Sequence, residues 1–299
     1  MKHLPQKLGY TALGLTSALA LLVVWSFIEP RLLNTENETI KIANLPPSWS
    51  GKKIGQISDF QIGLWGDNRG TARHSVAELI KAKPSVALIS GDFLYHPGSN
   101  IKPEINTAVD IVRPLVEAGI PTYAVLGNHD YGMSSKKAEP KLQEAERLEQ
   151  ALESAGIQVL ENEAVPLQSS DGEEPLYLVG VGSLWANRDN IDRALDAVPN
   201  DSPRITMMHN PDSFEKFPAN SAPLAVAGHT HGGQIRIPGL PQWSWLRFTQ
   251  KDKVYADGWA KGFGKPGNKL YVNPGIGMSF APVRLFCPPE LTIFTLETD

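Results

Sequence analysis

Five short apolar runs in this chain each end on a residue able to bind a metal ion. Residues 53–58, 84–90, 121–126, 204–208 and 223–227 read as buried strands, because each is short, apolar and bounded by turn signals. They run out at Asp59, Asp92, Asn128, His209 and His229. Helical patterns lie between them. Residues 70–81 set Val76, Leu79 and Ile80 on one face, residues 103–118 and 190–198 also read as helical, and residues 138–155 form a charged amphipathic helix stopped by Gly156. Shorter strands are expected near Val159 and over 176–181, and later near Ile235, Val254, Leu270 and over 291–296. Strands alternating with helices define an α/β domain, and such sheets place their sites outside the strands' carboxyl ends.

The last exit is the densest. Residues 227–234 read Ala-Gly-His-Thr-His-Gly-Gly-Gln. On an extended segment residues i and i+2 face the same way, so His229 and His231 are expected to reach one point. Imidazole suits zinc, iron, manganese and other transition ions. Four of the seven histidines, at 129, 209, 229 and 231, fall at strand exits. His3, His74 and His96 do not, and read as surface or supporting residues. Taken singly, Asp59 and Asp92 also suit helix N-caps, Asn128 a turn, and His209 a satisfied core position.

Composition narrows the class. A chain of 299 residues with ordinary apolar content builds a core without disulfide staples. A net charge of −4 gives no sign of nucleic-acid binding by bulk electrostatics, and no nucleic-acid partner is expected. One cysteine, Cys287, excludes an internal disulfide and a cysteine-rich zinc site.

The amino-terminal segment stands apart. Residues 8–28 carry no charge, and as a helix they would reach about 31 Å, enough to span a bilayer core. Lys2 and Lys7 precede the run; Glu29, Arg31, Glu36 and Glu38 follow it. The positive-inside rule then puts the amino terminus in the cytoplasm and the rest outside it. Ala18-Leu19-Ala20 resembles a signal-peptide cleavage site, but the apolar run continues to Ile28, which favours an uncleaved single-pass anchor in the cytoplasmic membrane. The expected division is residues 1–36 for anchor and linker and 37–299 for the folded domain.

Asp59-Phe60-Gln61, Gly91-Asp92, Gly127-Asn128-His129-Asp130, His209 and Gly228-His229-Thr230-His231 occur in the order typical of the calcineurin-like metallophosphoesterases, which this chain resembles over about residues 54–234. Gly-Gly-Gln at 232–234 and Tyr271-Val272-Asn273-Pro274-Gly275-Ile276-Gly277 are most similar to the membrane-associated bacterial YkuE-like branch. The resemblance implies a four-layer α/β/β/α sandwich with the site at one edge of its two sheets. It implies two divalent metal ions, whether manganese, zinc, iron or magnesium. Asp59, Asp92 and His231 would hold the first, and Asp92, Asn128, His209 and His229 the second, with Asp92 bridging. His129 would serve the leaving oxygen as proton donor, with Asp130 orienting its imidazole.

One position departs from the family pattern. Gln61 stands where the family usually has histidine, and its carbonyl oxygen suits harder ions such as manganese or magnesium. Gln61 is expected to ligate the first metal, to leave that place to water, or to be replaced by another residue. Tyr95 is the candidate, since related purple acid phosphatases carry a metal-binding tyrosine at the same offset from the Gly-Asp aspartate.

Near the site, residues 238–248 are rich in aromatics, with Trp243, Trp245, Leu246 and Phe248. They read as an apolar flap touching lipid or an acyl chain, or as a segment packed on the core. Arg236, Arg247 and Arg284 are candidates for holding phosphate, and Asn210 and Asp212 for supporting His209. The resemblance implies a metal-dependent phosphoesterase that hydrolyses a phosphodiester or pyrophosphate, with a lipid-linked substrate in view. The alternatives are a UDP-2,3-diacylglucosamine pyrophosphatase working on the cytoplasmic side, and a non-catalytic module that binds metal or a phosphorylated ligand.

Overall fold

The computed structural model of the chain describes residues 4–95, 101–168, 175–246 and 255–299. The apolar run forms α1 (Leu4–Ile28), 25 residues and about 37 Å long, almost wholly exposed from Tyr10 onward, and long and apolar enough to cross a bilayer. Beyond it stand two six-stranded sheets. The first runs β1 (Asn34–Ile42), β14 (Glu290–Thr298), β2 (Lys53–Ile57), β3 (Val86–Ile89), β4 (Thr122–Ala124), β5 (Gln158–Val159). The second runs β12 (Gly258–Trp259), β13 (Leu270–Val272), β9 (Ala225–Ala227), β8 (Arg204–Met207), β7 (Leu176–Gly180), β6 (Glu163–Leu167). Strands β2 to β5 are mutually parallel, as are β7, β8, β9 and β13; β14 runs against β2, and β6 and β12 are antiparallel to their neighbours. A small hairpin, β10 (Arg236–Ile237) with β11 (Leu240–Ser244), lies apart.

Alternation along the strands creates the layers. In β3, Val86 and Leu88 face the second sheet, while Ala87 and Ile89 face helices α2 (Arg69–Ala82), α3 (Lys102–Glu117) and α4 (Leu142–Ser154). Ile205, Met207 and Val226 of the second sheet meet Ile54, Leu88 and Phe294 of the first. On the outer face of the second sheet, Ala225, Ala227 and Val272 pack on α5 (Ile191–Asp196) and on the turn bearing Phe214 and Phe217. Helices, sheet, sheet and helix make the expected four-layer α/β/β/α sandwich, and β2, β3, β4, β8 and β9 deliver their carboxyl ends to one edge.

Several boundaries differ from the sequence reading, each for a physical reason. The helix expected over 138–155 starts only at Leu142, because Pro140 lacks an N–H and pushes Glu139 away from helical angles. Strand β6 contains Pro166 and escaped notice; it survives because it is the edge of its sheet, where a missing donor is tolerated. Strand β1 begins at Asn34, inside the segment expected to be linker, because Asn34 to Glu36 already pair with Glu290 to Thr292. The strand expected near Val254 lies outside the described residues, as do His3, His96, Arg247 and Phe248.

The inter-sheet layer carries the sandwich, and Leu88 is 1% exposed within it. Leu88→Ala is expected to lower unfolding free energy by about 2–5 kcal/mol, read from the denaturant midpoint of the purified protein.

Candidate metal centre

The loops after five strands converge on a buried nest of donor atoms. Asp59, Gln61, Asp92, Asn128 and His209 are fully buried, and His231 is 4% exposed. Two clusters form, Asp92 with His209 and His229, and Asp59 with Asp92 and His231, and within each the donor atoms lie within 4.8 Å of one another. Asp92 belongs to both.

In the Asn128 half, Nε2 of His209 lies 3.1 Å from Oδ1 of Asn128, 3.2 Å from Nδ1 of His229 and 3.3 Å from Oδ2 of Asp92. Four donors therefore crowd one point. Backbone groups aim them. His209 Nδ1 donates to the Ser90 carbonyl at 2.7 Å, which turns Nε2 toward the cluster. Asn128 Nδ2 donates to the Met133 carbonyl at 2.9 Å, which turns its Oδ1 inward. The His129 amide donates to Asp92 Oδ1 at 2.9 Å and leaves Oδ2 toward the histidines.

In the Gln61 half, His231 Nε2 lies 3.5 Å from Asp59 Oδ1 and 3.2 Å from the Gln61 amide nitrogen, which also donates to Asp92 Oδ2 at 2.8 Å. Gln61 Oε1 is buried with no partner. A half-turn of this amide exchanges oxygen for nitrogen and adds an oxygen donor beside Asp92 and His231. An orphaned buried acceptor among converging carboxylate, amide and imidazole donor atoms fits a cation.

The electrostatics agree. Burial pushes the Asp59 carboxyl up to about 7, with the Asp92 charge adding to the rise and His209 opposing it. Burial drives His231 down to about 3 and, reinforced by the His209 charge, takes His229 well below its usual value, so both stand as neutral imidazoles, the form that binds metal. His209 differs: burial opposes its charge, but the Asp92 carboxylate outweighs burial and holds the imidazole up to about 9, so His209 binds a metal ion only by giving up its Nε2 proton. Asp92 in turn is held low despite its burial, by His209 and His129.

The backbone is strained to make this nest. Asp59 (φ 55°), Gln61 (φ 53°), Asp92 (φ 56°), His229 (φ 74°) and His231 (φ 49°) all adopt left-handed angles. Each costs about 1–3 kcal/mol in a non-glycine residue and persists only where the surroundings over-determine it. These angles correct the strand argument for the histidine pair. β9 ends at Ala227, and the turn that follows sends His229 to the Asn128 half and His231 to the Gln61 half, rather than both to one point.

Other expectations are also corrected. Asp130 does not orient the His129 ring: its carboxylate accepts the amides of Asp92 at 2.9 Å, Leu94 at 3.0 Å and Gly127 at 2.8 Å, so it staples two loops together. The His129 ring is set by Nδ1 donating to the Tyr95 carbonyl, and by the Tyr95 ring stacked on it at 5.3 Å. Arg284 is fully buried and donates to the carbonyls of Pro274, Gly275, Gly277 and Cys287, which spends it on backbone rather than phosphate. Arg236 is paired with Asp257 at 2.7 Å. Asn210 accepts the Leu184 amide at 3.0 Å, and Asp212 pairs at the surface with Lys136. Trp185, whose ring meets that of His229 edge-on at 4.7 Å, carried no signal in the sequence.

A cleft of about 150 Å³ opens over the nest, lined by Asn128, His129, His229 and His231 and by Trp185, Trp245, Leu246 and Phe280. Buried carboxylates and neutral imidazoles beneath an open cleft suit polyanion chemistry at metal ions. Residues 52–233 match the calcineurin-like phosphoesterase family, and the chain belongs to it. It is similar to Phosphodiesterase YaeI of Escherichia coli (strain K12), with 33% identity over 74% of each chain. It is also similar to the uncharacterized metallophosphoesterase YkuE of Bacillus subtilis (strain 168), with 26% identity over 91% of this chain and 88% of the relative. UDP-2,3-diacylglucosamine pyrophosphatase LpxG of Chlamydia trachomatis is 24% identical over 95% of this chain and 98% of its own.

Gly127 tests how tightly the nest is packed, since a Cβ there would sit 2.1 Å from Asp92 Oδ1. Gly127→Ala is expected to displace Asp92 and reduce metal uptake in both halves, read as metal-to-protein stoichiometry, with a stability loss of about 1–3 kcal/mol.

Proposed function

We propose that this chain hydrolyses a phosphodiester or pyrophosphate bond at a two-metal centre, and that its substrate is linked to lipid. The observation that carries the reading is Asp92, one buried carboxylate shared by two donor clusters. We assign Asp59, Gln61, Asp92 and His231 to one divalent ion and Asp92, Asn128, His209 and His229 to the other. When bound, such a pair neutralises phosphoryl oxygens and acidifies a water for attack.

The chain's own residues do the rest. Asp92 holds the two halves of the centre together, and its Oδ1 bond to the His129 amide fixes its reach. His129 lines the cleft, and with Nδ1 committed to the Tyr95 carbonyl, Nε2 is the nitrogen that exchanges a proton with the leaving oxygen. Tyr95 holds that ring flat by stacking. Gln61, already within hydrogen-bonding range of Asp92 and His231, takes the place considered for Tyr95 in the first half. Trp185, Trp245 and Phe280 give the cleft apolar walls, which suit a substrate carrying hydrocarbon beside its phosphate.

Two relatives support the bond class: one is named a phosphodiesterase, the other a UDP-2,3-diacylglucosamine pyrophosphatase, and the second name is a reason to include acylated substrates. The exposed apolar helix α1 supports a membrane-held enzyme, and the charges flanking it favour a catalytic domain outside the cytoplasm. The specific UDP-2,3-diacylglucosamine reaction is not preferred, since it calls for the opposite orientation.

The test is turnover of aryl phosphodiester and aryl phosphomonoester by protein stripped of metal and reloaded singly with manganese, zinc, iron or magnesium. Metal-dependent turnover favouring the diester is expected, and abolished in Asn128→Ala. His129→Ala is expected to lower kcat by about 10²- to 10⁴-fold at unchanged metal content. Stoichiometric metal with no turnover on either substrate would leave a binding module instead. Gln61→His is expected to tighten zinc at one of two sites, measured by competition with a chelator; unchanged affinity would remove Gln61 from the centre.

A further inference from the structure

The anchor helix is not a loose tether. Its last turn is clasped by the loop over residues 279–287. The Ser26 carbonyl accepts the Arg284 amide at 2.9 Å. Glu29, 3% exposed, accepts the amides of Phe286 at 2.9 Å and of Cys287, and the Trp25 indole N–H at 2.6 Å. Thr71 of α2 donates its hydroxyl to the Pro30 carbonyl at 3.0 Å. A buried carboxylate with three donors is a fixed joint. Phe286 therefore sits level with the end of α1.

The same loop reaches the cleft. Ser279 donates its amide to Gln234 Oε1 at 2.7 Å, and Gln234 Nε2 donates to the Ala281 carbonyl at 2.8 Å, tying the loop to the segment that follows His231. Phe280 lines the cleft and is 52% exposed; the Trp65 indole N–H reaches its carbonyl at 3.3 Å, and the Trp245 ring lies 6.4 Å from its own. Trp65 is 73% exposed, and Trp243, Trp245 and Phe286 are each about two-fifths to one-half exposed. Exposed aromatic groups therefore stand at both ends of this loop, Phe286 beside the end of an apolar helix and Phe280, with Trp65 and Trp245, at the rim of the proposed active site. A water-facing surface has no use for such a set, whereas indoles are at home where hydrocarbon meets headgroups.

We propose that this aromatic rim, Trp65, Trp243, Trp245, Phe280 and Phe286, is seated in the interface of the same bilayer that α1 crosses, so that the cleft opens against lipid headgroups and draws its substrate from the membrane. The inference rests on α1 being a span and deepens the phosphoesterase reading by naming the bilayer as the source of substrate. The joint at Glu29 sets the height of the cleft, and the rim closes its membrane side.

The full chain is reconstituted in phosphatidylcholine vesicles whose acyl chains are brominated near the headgroup, in a Trp25→Phe background that silences the indole of the span and leaves Glu29 its two amide donors, Phe286 and Cys287. Tryptophan emission is expected to be quenched relative to vesicles of unbrominated lipid. Adding Trp65→Phe, Trp243→Phe and Trp245→Phe is expected to remove most of that quenching, with far-ultraviolet circular dichroism unchanged. Equal emission in the two kinds of vesicle overturns the proposal, and so does quenching that survives the three substitutions. Disulfide crosslinking of two copies through Trp243→Cys, with no quenching, would assign the rim to a second copy and also overturn it. Aryl phosphodiester turnover in the same vesicles is read separately. Quenching without turnover would sink the enzyme reading and keep the rim; turnover without quenching would do the reverse.

Discussion

Asp92 carries more of this structure than any other side chain. It is a fully buried carboxylate placed between two sets of donors, and its charge must be matched on both sides. Without a partner such a group is costly to bury. Here His209 matches it on one side and the Gln61 amide on the other, while the His129 amide holds one of its oxygens. The two sheets meet at this point: Asp92 follows β3 of the first, and His209 follows β8 of the second. The sandwich can close only if the charges at its edge are settled, so the packing of the sheets and the chemistry of the site are one problem.

The supporting groups show how the chain solves it. Backbone carbonyls of Ser90, Met133 and Tyr95 choose which atoms of His209, Asn128 and His129 face inward. Asp130 spends its carboxylate on three amides and holds the Gly91 and Gly127 loops in register. Left-handed angles at Asp59, Gln61, Asp92, His229 and His231 concentrate strain where it aims side chains, and the well-packed sheets behind them bear the cost. Gly127 and Gly228 allow the closest approaches, since a Cβ at either would strike an aspartate of the nest.

On one side of the nest the walls are aromatic, and on that same side the loop over residues 279–287 grips the end of α1. Buried Arg284 links the two functions. It donates to the carbonyls of Gly275 and Gly277, which pack on Asp59, while its own amide donates to the Ser26 carbonyl. Helix α1, the aromatic wall of the cleft and the donor nest thus share one segment.

Much of this was legible in the sequence. Strand exits at Asp59, Asp92, Asn128, His209 and His229 could be read because apolar runs, glycines and polar residues alternate with a clear local period. The α/β class followed from the same alternation, and the layers from the period of two along strands such as β3. The edge strand with proline and the turn after β9 could not be read, since each depends on neighbours distant in the chain; the split of His229 from His231 was implied only by the family resemblance, and the helix start at Leu142 is set locally by Pro140. Asp130 shows the limit well: the chain places it beside His129, but folding turns its carboxylate toward the amides of Asp92 and Leu94. Residue type and order by themselves determined which atoms were available to bind metal. Only the tertiary structure decided how they were shared, because backbone angles and long-range hydrogen bonds set where each donor points.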